Sequence, residues 1–360
     1  MKIGIIGCGN ISSAYFKGGQ QASNLEVKAC ADLFPEAAKR QADEYGRLAC
    51  SVDELLADSE IELVVNLTIP QAHVAVGIQC LDAGKHVYSE KPFGVDLEEG
   101  KRLRDHAEVK GLRLGCAPDT FLFGNAQTAR KLLDDGWIGR PFAGVVSMMC
   151  AGHETWHPNP GFYYDEGGGP MMDMGPYYIH MLINLLGPIR SVTGKTTRAF
   201  DERLATSENA FGQILPVKTE THLTGVLEFE SGALVTTIMS FDVKNSECGN
   251  FQIFGTDGTL HVGDPNNFPR PIRVRRKEDE EVREIPQTHA KNARMIGVMD
   301  MVQAIKDGRP HRVNADIALH TLEAMLAFEA SSKSGSAIKL ETTCKKPAAL
   351  PAGLPEWHVD

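Results

Sequence analysis

The sequence predicts two architectures in one chain: an α/β, doubly wound parallel sheet, then an α+β region with a large open antiparallel sheet. Three observations carry this expectation. Short apolar strands alternate with helices over residues 1–120. A glycine-rich turn follows the first strand directly. Beyond residue 120 the rhythm changes to strands paired across turn dipeptides. A chain of 360 residues, 42% hydrophobic and 23% charged, fits about two globular domains. The expected divisions are 1–120, 121–345 and a tail, 346–360.

The elements follow in order. Residues 2–7 (KIGIIG) form an apolar strand ending in glycine, and a helical pattern runs over 10–21. Residues 26–31 (EVKACA) are a second strand. Residues 34–45 form a helix, with Pro35 in its first turn and Gly46 as its stop. Ser51-Val-Asp-Glu54 is a capping box opening a short helix. Strand 62–66 (ELVVN), helix 70–83 and strand 85–90 (KHVYSE) come next. A charged helix over 96–110 is capped by Asp96, and strand 112–116 (LRLGC) closes the alternation. Right-handed crossovers between such strands give helices on both faces of the sheet.

After a helix near 125–135, residues 141–151 form a long strand. Runs 222–230 and 233–243 flank Ser231-Gly232, and runs 250–255 and 259–262 flank Asp257-Gly258. Runs 271–276 and 281–285 form a third pair. Helices over 293–307 and 315–334 follow, and the Pro-rich tail either wraps the surface or stays loose.

Gly7-Cys-Gly9-Asn-Ile-Ser12 matches G-x-G-x-x-(small) between a strand and a helix, the context that gives the motif meaning. Gly7 allows the tight turn and Gly9 the close approach of a pyrophosphate. The amides of Asn10 and Ile11 at the helix start would bind it. Asp32 ends the second strand, where an acid accepts hydrogen bonds from a ribose diol and repels a 2′-phosphate. The expected cofactor is therefore NAD. Lys39 and Arg40 stand near enough in sequence to reach a phosphate. In the competing reading the glycines only make a turn and Asp32 caps the next helix.

With 37 basic against 47 acidic residues the formal charge is −10, and no basic run marks a nucleic-acid or membrane surface. No apolar stretch reaches the roughly 18 residues of a membrane span. No signal-peptide pattern opens the chain. The eight cysteines contain no C-x-x-C pair, as expected of a reducing, cytoplasmic setting.

Ser89-Glu90-Lys91-Pro92, the glycine turn, NLTIPQAH (66–73) and GGGPMMDMGPYYIH (167–180) together resemble the Gfo/Idh/MocA oxidoreductase family across essentially the whole chain. The resemblance implies a Rossmann domain followed by an open antiparallel sheet. It also implies nicotinamide-dependent oxidation or reduction of sugars, cyclitols and similar polyols, in homodimers or homotetramers built on that sheet. Lys91 matches the lysine of the family's E-K-P motif, which contacts the reacting hydroxyl and the nicotinamide ribose. Glu90, Pro70 and His73 fall on the cofactor side, although His73 reads equally as a helix-surface residue. Lys91-Pro92 is a candidate cis bond.

The family usually shows D-x-G-x-H-x-x-D on a helix of the second domain. Asp173 and Gly175 match, Tyr177 stands in place of the histidine, and His180 in place of the last aspartate. Glucose–fructose oxidoreductase, a member, uses a tyrosine in this role. Positions 173, 177 and 180 share one helix face. A free tyrosine titrates near 10, and an ammonium such as Lys91 would lower it, with Asp173 orienting the lysine. Otherwise Tyr177 is a core aromatic and Asp173 a helix cap. The glycines at 167–169 would let the backbone pass close to a ligand.

Trp156, His157 and Asn159 offer the aromatic face and hydrogen-bond partners that a carbohydrate needs, or else form a structured surface loop. Asp119 is a further substrate candidate, or an ordinary helix-start residue, and His180 completes the substrate set. Arg294 reads as a solvated arginine. His153, His157 and His180 could form a metal set, but H-x-x-x-H in a loop is a weak signal and no metal is expected.

The expected activity is NAD-dependent oxidation of a ring hydroxyl of a sugar, glycoside (C3 of a glucoside) or cyclitol. Hydride passes to nicotinamide C4, and Lys91 and Tyr177 transfer the proton. The alternatives are an NAD-dependent glycosidase acting by transient oxidation and a non-catalytic NAD-binding sensor. The role of Asp32 predicts a lower Kd for NADH than for NADPH in equilibrium titrations; the reverse order would overturn it.

Overall fold

The computed structural model describes residues 1–246, 250–268 and 270–360. The chain forms two compact units. The first comprises residues 1–127, 288–322 and 347–360, and the second 128–287 and 323–346. The linear divisions expected from sequence therefore miss two returns of the chain to the first unit.

In the first unit the elements are β1 (Lys2–Ile6), α1 (Ser12–Gln21), β2 (Glu26–Ala31), α2 (Pro35–Tyr45), β3 (Leu48–Ala49), α3 (Val52–Ala57), β4 (Ile61–Asn66), α4 (His73–Asp82), β5 (His86–Ser89), α5 (Leu97–Lys110) and β6 (Leu114–Cys116). They build a wholly parallel sheet of order β3-β2-β1-β4-β5-β6. Both faces are covered, so the strands read as near-continuous apolar runs. Ile3, Ile5, Leu63, Val64 and Val65 are all fully buried. One core cluster joins Val64 and Val87 to Leu55, Val74, Leu81 and Leu103 of the helices. The Ser51–Glu54 capping box forms in both directions, and Asp96 accepts the Glu99 amide.

The remaining elements are α6 (Gly124–Asp134), β7 (Pro141–Met149), α7 (Gly169–Leu186), β8 (Ile189–Thr197), β9 (Glu202–Leu204), β10 (Ile214–Pro216), β11 (His222–Phe229), β12 (Leu234–Ser240), β13 (Asn250–Gly255), β14 (Gly258–His261), β15 (Ile272–Arg276), β16 (Arg283–Ile285), α8 (Ile296–Asp307), α9 (Ala315–Ser334) and β17 (Ile338–Lys339). Nine strands form one sheet, β16-β15-β14-β13-β7-β12-β11-β8-β17, and β9 pairs with β10 apart from it. All three expected hairpins are present. The sheet is not purely antiparallel, because β7 and β12 pair in parallel. Local turn signals reveal hairpins but not a pairing between strands some ninety positions apart. α7 packs on β7, β11 and β12, and the Tyr178 ring stacks on Phe251. Cys248 lies outside the described residues.

Residues 288–322 and the tail are tied into the first unit by polar contacts. Arg312 donates to Asp300 and to the carbonyls of Ala348 and Ala349, and the Leu350 amide donates to Gln127 Oε1 at 2.8 Å. Ala315, Ala318 and Leu319 belong to the core cluster. His311 is buried, with Nε2 3.1 Å from the Leu114 carbonyl oxygen, and burial pushes its pKa down to about 4. No helix of the described residues is long and apolar enough to cross a membrane.

A histidine held neutral by burial contributes stability above its unfolded pKa of about 6.5, and that contribution is lost as pH falls toward its folded pKa. Wild-type protein should lose about 3 kcal/mol between pH 6.5 and 4 from this residue alone. Urea unfolding at stepped pH should show a shallower slope over that window in His311→Gln. An unchanged slope would contradict the assignment.

Candidate active site

The glycine turn leaves β1 with Gly7 at φ 100°, and a Cβ there would stand 2.5 Å from the Leu67 carbonyl. Only glycine fits this turn. The Cys8 amide then donates to Asp32 Oδ2 at 2.7 Å, and the Phe34 amide donates to Oδ1 at 2.9 Å. Gly9, Asn10 and Ile11 are exposed, and a Cβ on Gly9 would meet nothing within 4 Å. No side chain caps the start of α1. Open space, an uncapped helix start and a fixed carboxylate at the end of β2 together suit a dinucleotide's pyrophosphate and ribose. Leu33, Phe34 and Ile69 are large apolar side chains largely exposed beside these strand ends. Sequence reasoning does not single them out, although two apolar residues directly after Asp32 are a signal.

Two residues expected on the cofactor side, His73 and Glu90, brace the loops. His73 is buried, with Nδ1 2.8 Å from the Pro92 carbonyl oxygen and Nε2 3.0 Å from that of Thr68. A neutral ring donates through one nitrogen only, so one contact is a donated bond and the tautomer decides which. Burial holds the His73 pKa below the usual histidine range. The ring thus ties the loop after β4 to the loop after β5. Glu90 is likewise buried, and its carboxylate accepts from Tyr15 Oη at 2.8 Å and from the Lys91 amide at 2.9 Å. The Lys91–Pro92 peptide is cis, and Lys91 is half-buried. Pro70 opens a single 3-10 turn before α4.

Asp119 is fully enclosed, and its Oδ2 accepts the Met295 and Gly297 amides at the start of α8, each at 3.1 Å. It caps that helix from a distant part of the chain, a structural role that the sequence reading did not assign to it. Burial raises its pKa even though Arg294 Nη1 stands 3.6 Å from Oδ1. Arg294 is accordingly a mostly buried partner of Asp119, not a solvated arginine.

In the second unit α7 carries Asp173, Tyr177 and His180. Asp173 is partly exposed, Tyr177 nearly buried and His180 only 2% exposed. His180 belongs to the stretch of α7 from Gly175 to Leu186 in which every residue is buried. Gly168 and Gly169, at the start of α7, lie close against protein backbone. A Cβ on Gly168 would stand 2.5 Å from the Phe162 carbonyl oxygen.

His153 reaches Asp173, with Nε2 3.4 Å from Oδ2. Its ring packs among Trp156, Tyr163 and Phe241. Sequence reasoning raises His153 only as a metal ligand. Trp156 is 60% exposed, Asn159 is exposed and its amide donates to His157 Nδ1 at 3.1 Å, and burial lowers the His157 pKa.

A buried charged network supports this loop. Arg203 Nη1 donates to Glu154 Oε1 at 3.0 Å and Nη2 donates to Asp242, while Tyr164 Oη donates to Glu154. The Tyr164 hydroxyl also accepts the His153 amide at 3.1 Å, which fixes that residue's backbone. Among the described residues no group of three His, Cys, Asp or Glu side chains is arranged to hold a metal ion.

Two family models match this chain. A family model described as an oxidoreductase family with an NAD-binding Rossmann fold matches residues 1–117, and the GFO/IDH/MocA C-terminal domain model matches residues 126–261. Two uncharacterised oxidoreductases of Schizosaccharomyces pombe are 29% identical over 249 residues and 36% over 165. These matches cover 66% and 44% of this chain, which thereby spans only 63% and 43% of those relatives. A 1,5-anhydro-D-fructose reductase of Ensifer adhaerens is 24% identical over 349 residues, 94% of this chain and 98% of that one. Among solved structures, a levoglucosan dehydrogenase in complex with NADH and L-sorbose superposes with a TM-score of 0.81 at 19% identity, covering 95% and 99% of the two chains, and so shares the fold.

The bracing role of His73 predicts that His73→Phe, which keeps the ring but removes both nitrogens, leaves the carbonyl served by the ring's one N–H without that donor and costs about 2 kcal/mol. Turnover should fall by at least about tenfold through the displaced Lys91 loop, with His73→Gln recovering part of both losses. Thermal melts and steady-state kinetics read the two effects, and wild-type turnover in His73→Phe would exclude the bracing role.

Proposed function

The chain belongs to the GFO/IDH/MocA oxidoreductase family, and on that premise we propose that it is an NAD-dependent dehydrogenase oxidising a ring hydroxyl of a carbohydrate or cyclitol. The observation that carries this reading is the open glycine turn closed at one end by Asp32. A polar and aromatic set around Asp173 in the second unit supports it. Gly9, the amides of Asn10 and Ile11, and Asp32 would hold the dinucleotide. Bound NAD⁺ supplies the hydride acceptor.

The chain's own residues handle the proton. Tyr177 takes it from the substrate hydroxyl as the carbinol becomes a carbonyl, and Lys91 supplies the positive charge that favours the phenolate. Asp173 orients the polar partners, and His153 beside it fixes the carboxylate's direction. Trp156, His157 and Asn159 offer a stacking face and hydrogen bonds for a pyranose. The names of the Ensifer reductase and of levoglucosan dehydrogenase favour a closed sugar ring as substrate. C3 of a glucoside is the finer assignment within this reading. Self-association through the nine-stranded sheet and action in the cytoplasm belong to the same proposal.

Tyr177→Phe and Lys91→Ala should each lower kcat by about 10²-fold or more while NADH binding stays largely intact. Near wild-type turnover in either variant would refute its proton-transfer role. A panel of sugars, glycosides and cyclitols, followed by NADH absorbance with free aglycone measured alongside, tests the reaction class. NADH formation with the glycoside intact supports a dehydrogenase, and aglycone release without net NADH refutes it in favour of a glycosidase.

A further inference from the structure

We propose that Arg40 is a second specificity-determining residue of the nucleotide site, a latent anchor for a ribose 2′-phosphate that Asp32 keeps from being used. This rests on the assignment of Asp32 to the adenosine ribose. Asp32 and Arg40 grip the same residue of the glycine turn from two elements. Asp32, just past β2, accepts the Cys8 amide at 2.7 Å, and Arg40 on α2 donates from Nη2 to the Cys8 carbonyl at 3.4 Å. A cation therefore already stands beside the end of β2, where this fold places the 2′ position of the ribose.

The Arg40 side chain is exposed, and no carboxylate of the described residues lies within ion-pair distance of it. A guanidinium carries five N–H donors. One is spent on Cys8 through a long bond, and the others are available to the forked geometry that a phosphate matches. The Asp32 carboxylate is held by two backbone amides. It cannot swing aside for a second anion without losing both bonds, so a 2′-phosphate, carrying about −1.5 to −2 charges, would meet a fixed negative group. Discrimination then rests on that one carboxylate, with the cation needed for the phosphorylated cofactor already present. Lys39, the adjacent basic residue, makes no hydrogen bond to the turn, so the geometry points to Arg40.

The test measures Kd for NADH and NADPH by titration calorimetry in five proteins: wild type, Asp32→Ser, Asp32→Asn, Asp32→Ser/Arg40→Gln and Asp32→Ser/Lys39→Gln. No turnover is required. Asp32→Ser should tighten NADPH binding by about tenfold or more and weaken NADH by a similar factor. Adding Arg40→Gln should erase most of the NADPH gain, and adding Lys39→Gln should leave it in place.

No gain in NADPH affinity in either Asp32→Ser or Asp32→Asn, that is, in both variants, would overturn the proposal. So would a gain that survives Arg40→Gln or disappears with Lys39→Gln. Asp32→Asn keeps an acceptor for the turn, and it decides the matter if serine abolishes binding of both nucleotides. Tighter NADPH binding by the wild type would be a separate result, refuting the reading of Asp32 itself.

Discussion

The ligand-facing edge of the first unit depends on how closely the turn after β1 lies against the end of β4. The Leu67 amide donates to the Ile6 carbonyl at 2.7 Å, so the turn begins in direct contact with the neighbouring strand. Any side chain at residue 7 would wedge the two apart. With the turn seated, Cys8 meets Asp32 from β2, and the Thr68 carbonyl meets His73. His73 reaches Pro92 beyond β5, and Glu90 reaches Tyr15 on α1. The ends of β1, β2, β4 and β5 are thus joined by backbone and side-chain contacts that all assume the same strand spacing.

Polar groups carry this bracing because loops at strand ends leave carbonyls and amides without ladder partners. Burying such groups unpaired costs far more than a hydrogen bond returns. His73 and Asp119 each serve backbone groups of a segment outside their own element, and Glu90 joins the Lys91 amide to the Tyr15 hydroxyl of α1. In the second unit Arg203 lies between Glu154 and Asp242, and all three side chains are buried. Removing one partner would strand a charge in the interior, so the loop bearing His153 and Trp156 is held by charge balance as much as by packing.

Much of the architecture is legible because it is written locally. Strand and helix periodicity, the Ser51 capping box, the glycine turn and the hairpin dipeptides each depend on residues a few positions apart. The parallel pairing of β7 with β12 and the return of residues 288–322 to the first unit leave no such local trace. The candidate site divides in the same way. Gly7, Gly9 and Asp32 take the positions that their motif implies, since the motif itself encodes a strand, a turn and a helix. His73, Glu90 and Asp119 are recognisable as noteworthy but not as braces, because residue type does not reveal which carbonyl or amide will fold against it. The nearness of His153 to Asp173 likewise arises from a loop folding onto a helix some twenty residues later.

The discontinuity of the first unit bears on how this architecture can be recombined. Its sheet and glycine turn lie within the first third of the chain, yet Ala315, Ala318 and Leu319 fill part of its core and Asp119 caps a helix that begins at Ile296. A fragment ending near residue 120 would expose that core and leave the Asp119 carboxylate without its amides. The second unit is therefore built from two insertions within the first and is not an appendage to it. Exchanging substrate regions between relatives while keeping the nucleotide module requires four junctions, and splicing at a single point would break both partners.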